Sequence, residues 1–274
     1  MQAPPSWSPP SGTLGAIVEQ TMQRVAALRT RRHALEAALA DAPSPRPFGE
    51  ALRGASVAVI AEVKRRSPSM GTINASLDAP AQAAAYASGG AAAISVLTEP
   101  THFGGSNADL QAVRARVSIP VLRKDFHVDA VQLLEARVLG ASAALLIARA
   151  IDPAALAGLM ASAEGLGLET LVEVRSDDEL DRALGAGARV IGVNCRDLET
   201  LAVDPSVADR LVARVPSGVI AIWESGIASA ADVQRAAMAG ADAVLVGSAV
   251  SAAVDPAAAV RALAGTARRE GVRD

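Results

Sequence analysis

The chain has 274 residues, 51% of them hydrophobic, and a formal net charge of −3. Its length suits one α/β barrel of about 250 residues, and its charge gives no electrostatic case for nucleic acid. No run of about 18 apolar residues escapes glycine, proline or charge, so no membrane span is predicted.

The start, Met1 to Gly12, is rich in proline and serine and has no basic stretch leading into an apolar core. It does not read as a secretory signal. Residues 1–13 are expected to be a disordered tail, and residues 14–274 a single domain that includes N-terminal helices within 14–52. Leu14 to Leu39 reads as one or two amphipathic helices, with Ile17, Val18, Met22, Val25, Leu28 and Leu35 at helical spacing. The arginines from Arg29 to Arg32 read as a solvated face. Asp41 to Pro47 breaks the helix, and Phe48–Leu52 is expected to be a short linker helix. An apolar stripe must bury against something, so the helices before the barrel are expected to cover part of its mouth.

From Val57 onward the pattern alternates. Apolar runs at Val57–Val63, Ala91–Leu97, Pro120–Leu122, Ala143–Ile147, Thr170–Val174, Val190–Val193, Val219–Trp223 and Ala243–Val246 predict eight strands. Helical stretches separate them and Pro256–Leu263 follows the last, which implies parallel βαβ units. Gly90, Gly140, Gly187 and Gly240 each stand between a helix and a strand, with small residues following. Their spacing, roughly two βα units, favours a closed (β/α)8 TIM barrel with an N-terminal helical extension over an open sheet. No Gly-x-Gly-x-x-Gly follows the first strand, which weakens a dinucleotide reading.

In such a barrel the chemistry sits at the carboxyl ends of the strands. The first strand ends in Glu62 and Lys64, two apart and so on one face. By themselves they read equally well as a structural ion pair. Only two lysines occur, Lys64 and Lys124, both at strand ends; where arginine serves elsewhere, a lysine suggests that a compact, titratable ammonium is needed. The other strand ends bring Thr98 and Glu99, Glu173, then Asn194, Arg196 and Asp197, then Glu224. A glutamate held between lysines is expected to stay ionised, and lysines near one another to have depressed pKa values. Glu224-Ser225-Gly226 and Gly247-Ser248 end strands seven and eight, where backbone N–H groups commonly hold a phosphate; a side chain at Gly247 is expected to obstruct that anion. No P-loop is present, so a phosphorylated metabolite is expected rather than a nucleotide. Cys195 reads as a packing residue rather than a reactive thiol. His33, His102 and His127 show no ligand spacing, so neither metal nor cofactor is expected.

Taken together these motifs resemble the indole-3-glycerol-phosphate synthase family. They are Glu62-x-Lys64-x-x-Ser67-Pro68-Ser69, Leu97-Thr98-Glu99 with Phe103-Gly104-Gly105-Ser106, Leu122-Arg123-Lys124-Asp125-Phe126, Leu171-Val172-Glu173-Val174, Gly192-Val193-Asn194-Cys195-Arg196-Asp197-Leu198, Glu224-Ser225-Gly226-Ile227 and Val246-Gly247-Ser248. The resemblance implies a carboxy-lyase of tryptophan biosynthesis acting on a small phosphorylated anilino-sugar. Lys124 would be the general acid in ring closure and Glu173 the matching base. Lys64 would pair with the substrate carboxylate, with Glu62 beside it. Asn194 and Glu224 would hold substrate hydroxyls or the lysines. Arg196 would line the mouth, and Ser67, Ser225, Gly226, Gly247 and Ser248 the phosphate site. Phe103, Phe126, Leu145, Ile147 and Leu198 would wall the aromatic ring. Met70, His127 and Trp223 depart from the family pattern, and Trp223 should face the outer helices. A cytoplasmic monomer or weak homodimer is expected. The alternatives are a phosphoribosyl-intermediate isomerase of the same barrel superfamily and a catalytically silent paralogue that acts as a binding protein.

Overall fold

The computed structural model describes residues 7–269 and 271–273. Its frame is eight strands: β1 (Ala58–Val63), β2 (Ala93–Leu97), β3 (Val121–Lys124), β4 (Ala143–Ile147), β5 (Glu169–Val174), β6 (Val190–Asn194), β7 (Ile220–Glu224) and β8 (Ala243–Val246). They are all parallel, each beside the next in sequence, and β8 pairs with β1 to close the barrel. Three strands, β3, β6 and β7, run further than their apolar patterns. The ladder carries on through Lys124, opposite Leu97, and through Glu224, opposite Asn194. Hydrophobicity stops where the chemistry starts, whereas backbone pairing does not depend on the side chain.

The helices around the barrel are α4 (Ala79–Ser88), α5 (Asn107–Arg116), α6 (Ala130–Val138), α7 (Pro153–Gly165), α8 (Asp177–Gly185), α9 (Pro205–Val212), α10 (Ala230–Ala239) and α11 (Pro256–Leu263). Each starts behind an Asp or Ser whose side chain accepts a backbone N–H of the first turn. The four repeating glycines all have positive φ, from 87 to 97°. The residue after each one donates to a carbonyl five positions back, as Ala141 does to Ala136 and Ala241 to Ala236. That closing pattern requires the left-handed conformation that glycine adopts without strain. The same stop therefore precedes β2, β4, β6 and β8.

Side chains alternate along each strand, so two cores form. Val59, Ala61, Val96, Val121, Leu146, Val172 and Trp223 face outward and pack under the helices. Ile60, Ala93, Leu122, Leu145, Leu171, Ile222 and Leu245 fill the barrel. The segment expected to be a linker also plugs the amino end of the barrel. It is helical as α3 (Phe48–Ala51), Phe48 and Leu52 are fully buried, and the Phe48 and Gly49 N–H groups donate to Glu169 at 2.6 and 3.0 Å.

The N-terminal extension forms α1 (Gly12–Arg29) and α2 (Arg32–Ala38). Leu14 and Ile17 of α1 join the inner core beside Phe126, Leu145 and Ile147. Val25 of α1 and Leu35 of α2 pack instead on Val131 and Leu134 of α6. Thus only the first half of α1 reaches the mouth, and α2 lies on the barrel's flank. Of the tail expected to be disordered, residues 1–6 lie outside the described residues. Beyond them, Trp7 donates its indole N–H to the Arg149 carbonyl at 3.3 Å, and Ser11 donates to Glu199 at 3.2 Å. Among the described residues no helix is long and apolar enough to cross a membrane.

Candidate active site

Inward-facing positions continue past the apolar core into a polar layer. Ile60 is followed two residues later by Glu62, and then by Lys64. Leu122 is followed in the same way by Lys124, Leu171 by Glu173, Gly192 by Asn194 and Ile222 by Glu224. The period of two delivers these groups to one mouth, where they line a cavity of ≈ 540 Å³. Lys64 Nζ lies 2.8 Å from Glu62 Oε1. Lys124 Nζ lies between Glu173 and Glu224, at 3.2 and 3.0 Å. Glu62, Glu173 and Glu224 are all buried.

Three carboxylates thus face two ammonium groups, which corrects the expectation for the lysines and bears it out for Glu62, the glutamate between them. Burial works to lower the Lys124 pKa, but Glu224, Glu173 and Glu62 outweigh it and hold the ammonium above its ordinary value. The carboxylates, and not Lys64, decide the direction of its pKa. Burial pushes Glu224 up to about 8, with Lys124 opposing and Glu173 adding to the rise. Glu224 is therefore the glutamate that holds a proton near neutral pH, and not every carboxylate of the set stays ionised. Burial would raise Glu62 as well, but Lys64 and Lys124 reverse that and its pKa is lowered.

The apolar residues named for the wall come together in this cavity. Phe103, Phe126, Leu145, Ile147 and Leu198 line the cavity together with Ile17 of α1, and the two phenyl rings lie 6.1 Å apart. His127 braces this wall from behind through a 2.7 Å hydrogen bond to the Leu145 carbonyl. Because a carbonyl only accepts, Nδ1 carries the proton; burial, with Arg123 adding, pushes the ring down to about 4, so it is neutral at pH 7.

Ser67, Ser225, Gly226, Gly247 and Ser248 line the same cavity, and so does Arg196. Ser225 and Gly226 both have positive φ, 67 and 75°. For serine that conformation costs about 1–3 kcal/mol and needs support. Trp223 faces the outer helices, with Arg235 5.8 Å from its ring centre, and gives its indole N–H to the Ser225 carbonyl at 3.1 Å. Ser225 Oγ donates to Asn194 Oδ1 at 2.8 Å. The Arg196 N–H shares that oxygen at 2.9 Å, so Asn194 holds the turn rather than a lysine. Met70 is exposed and lines the rim. Cys195 is fully buried, and burial pushes its thiol up to about 12, which suits packing.

At Gly247 a side chain would also meet the ion pair. A Cβ there would meet Glu62 Oε1 at 2.5 Å and Lys64 Nζ at 2.6 Å. A side chain at 247 would first displace the ion pair, whatever it did to an anion. Gly192 acts alike, since its Cβ would stand 2.0 Å from Glu224 Oε1. This glycine's role, and those of Ser95 and Ser251, are not among the sequence expectations. Ser95 Oγ donates to Glu62 at 3.4 Å, and Ser251 Oγ donates to the Glu62 carbonyl at 2.8 Å. Ser95 carried one faint signal, a hydroxyl at an inward position of an otherwise apolar strand.

A family model described as indole-3-glycerol phosphate synthase matches residues 14–263. Curated relatives described by the same words include one from Mycobacterium leprae, 53% identical over 226 residues, covering 82% of this chain and 83% of that protein. One from Streptomyces griseus is 51% identical over 221 residues, covering 81% and 82%. One from Mycobacterium avium is 49% identical over 253 residues, covering 92% and 93%. Among solved structures, a 3-hexulose-6-phosphate synthase from Salmonella typhimurium superposes with a TM-score of 0.61 at 18% identity, covering 76% of this chain and 96% of that one. At that identity the likeness concerns the barrel alone.

Proposed function

The chain belongs to the indole-3-glycerol phosphate synthase family, and from that premise we propose how its own residues divide the reaction. The activity is that of a carboxy-lyase of tryptophan biosynthesis. The substrate, 1-(2-carboxyphenylamino)-1-deoxyribulose 5-phosphate, closes its indole ring and loses CO2 and water.

The phosphate is taken by the N–H groups around Ser225, Gly226, Gly247 and Ser248, with Ser67 alongside. The anilino ring lies against Phe103, Phe126, Leu145, Ile147 and Leu198. Lys64, steadied by Glu62, meets the ring carboxylate, and Arg196 closes the rim. The ketose carbonyl then faces Lys124. Its ammonium, kept charged by Glu173 and Glu62, gives a proton to the carbonyl oxygen as the ring carbon attacks. Loss of CO2 converts a charged group to a neutral one, which the apolar wall favours. Glu173 takes the C–H proton during dehydration, and Glu224, which holds a proton near neutral pH, can supply one to the departing hydroxyl.

The observation that carries this reading is the placement of Lys124 between Glu173 and Glu224, at 3.2 and 3.0 Å, in a cavity that also has an apolar wall. Residues 14–274 are proposed to act as one domain in the cytoplasm, as a monomer or weak homodimer; every group invoked comes from a single chain. The test is incubation with the substrate while indole fluorescence is followed. Fluorescent product is expected without added metal or cofactor, and none forming from intact, folded protein would overturn the assignment.

A further inference from the structure

The proposed reaction consumes a proton that the site must recover. The substrate carboxyl enters ionised and leaves as neutral CO2, its bonding pair returning to the ring. Ring closure puts one proton on the carbonyl oxygen, and dehydration puts a second on the hydroxyl that leaves as water. One returns from the C–H that is broken. The net is one proton taken from solvent per turnover, while substrate or product covers the mouth.

A second cavity of ≈ 140 Å³ lies behind Glu173, which lines both. Its other walls include Arg149, Arg175, Glu179, Asp197 and Glu199. Asp197 and Glu199 are partly exposed, so the cavity reaches the surface beside them. Among the described residues the buried Arg175 Nε has no partner within the protein. Arg175 lines this cavity, whose polar walls and volume have room for water. Glu179 is 7% exposed, and its carboxylate accepts the Arg175 backbone N–H at 2.7 Å. The charges around it are Glu173 on β5, Arg182 on its own helix α8 and Arg149 after β4. Burial, helped by Glu173, holds its carboxyl above the ordinary value against the Arg175 N–H and both arginines. Arg196 and Asp197, after β6, complete the wall.

We propose that this second cavity is a hydrated proton-entry route and that Glu179 is its relay residue: once Glu173 has passed the proton it took from the C–H bond to Lys124, Glu179 delivers one from solvent through Glu173 and Lys124 to Glu224, which completes the cycle. The assignment rests on the reaction proposed above. Glu179 also caps α8, so the test must separate the two roles. Glu179→Gln, in the full chain, keeps an oxygen that can accept the Arg175 N–H but cannot carry a proton. Its kcat should fall about 10-fold at unchanged KM, less than the 10²–10⁴-fold typical of a group that acts on the substrate. The solvent deuterium isotope effect on kcat should grow, and high imidazole concentration should restore part of the rate. Glu179→Asp should retain more activity than Glu179→Gln. Wild-type kcat and isotope effect in Glu179→Gln would overturn the relay. So would a loss that tracks a lower melting temperature and is not recovered by imidazole, which is the signature of a broken cap. Wild-type turnover in the same assay establishes the reaction itself, so failure of that reading and failure of the relay are distinguishable.

Discussion

Lys124 is where residue type matters most. Arginine keeps the charge but does not release its proton in proteins. Lys124→Arg should therefore fold and bind substrate but lose about 10²–10⁴-fold in kcat. Lys64→Arg can still pair with a carboxylate, so its defect should lie more in KM and less in kcat. Steady-state kinetics by indole fluorescence on both variants checks this, and near-wild-type kcat in Lys124→Arg would sink the proton-donor role. Glu224 makes a second prediction, on stability. Its folded-state pKa is raised to about 8, so between the ordinary carboxylate value and about 8 the folded chain binds more protons than the unfolded one. Stability from this group is then lost as pH rises through that window. Glu62 and Asp125, both lowered, act the other way, but at more acid pH. Glu224→Gln removes the titration, so its melting temperature should gain on wild type from about pH 5 to about pH 8. A difference that stays flat across that range would contradict the raised pKa.

At the scale of elements, α1 joins the extension to the chemistry. Leu14 and Ile17 sit on the ring wall, and Arg24 lies 3.5 Å from Asp125, the residue after Lys124. Asp125 in turn accepts from the Phe126 N–H at 2.8 Å and from Thr98 Oγ1 at 2.6 Å. Removing residues 1–40 would open the apolar side of the mouth to water and leave Asp125 without Arg24. The barrel strands pair without this segment, so the truncated chain should keep its far-ultraviolet circular dichroism. Its kcat/KM should drop by about 10-fold or more, as loss of substrate-positioning contacts does. Full activity after the deletion would refute the covering role.

For the whole molecule, closure depends on where β8 meets the C-terminal segment. Asp242, immediately before β8, is buried. It accepts the Ala221 N–H at 2.7 Å and pairs with Arg268 and, at 2.6 Å, with Arg273. Asp242→Ala would leave the Ala221 N–H buried without an acceptor. Arg273, close to the chain end, can swing out to water, so the penalty should be about that of one unsatisfied buried group, about 1–3 kcal/mol. Urea unfolding should show a lower midpoint at unchanged slope, with kcat little altered because Asp242 lies at the opposite end of the strand from the mouth. A midpoint equal to wild type would show that the C-terminal clamp contributes nothing.

The sequence by itself determined the repeat, the strand count and most of the residues that meet at the mouth. Apolar runs, helix caps and left-handed glycines are local signals, and Ile60-Glu62-Lys64 or Leu171-Glu173 carries its own facing through the period of two. Which charge neutralises which was decided only in three dimensions. Lys124 meets Glu173 and Glu224 because strands far apart in sequence curl to one axis, and chain order says nothing of those distances. Gly192 and Gly247 read as turn or strand residues until Glu224, Glu62 and Lys64 are seen to occupy the space a Cβ would need. The split of the N-terminal helices between mouth and flank, and the plugging of the barrel by Phe48–Ala51, likewise follow from packing. An amphipathic stripe specifies that a face must be buried and leaves its partner to the tertiary fold.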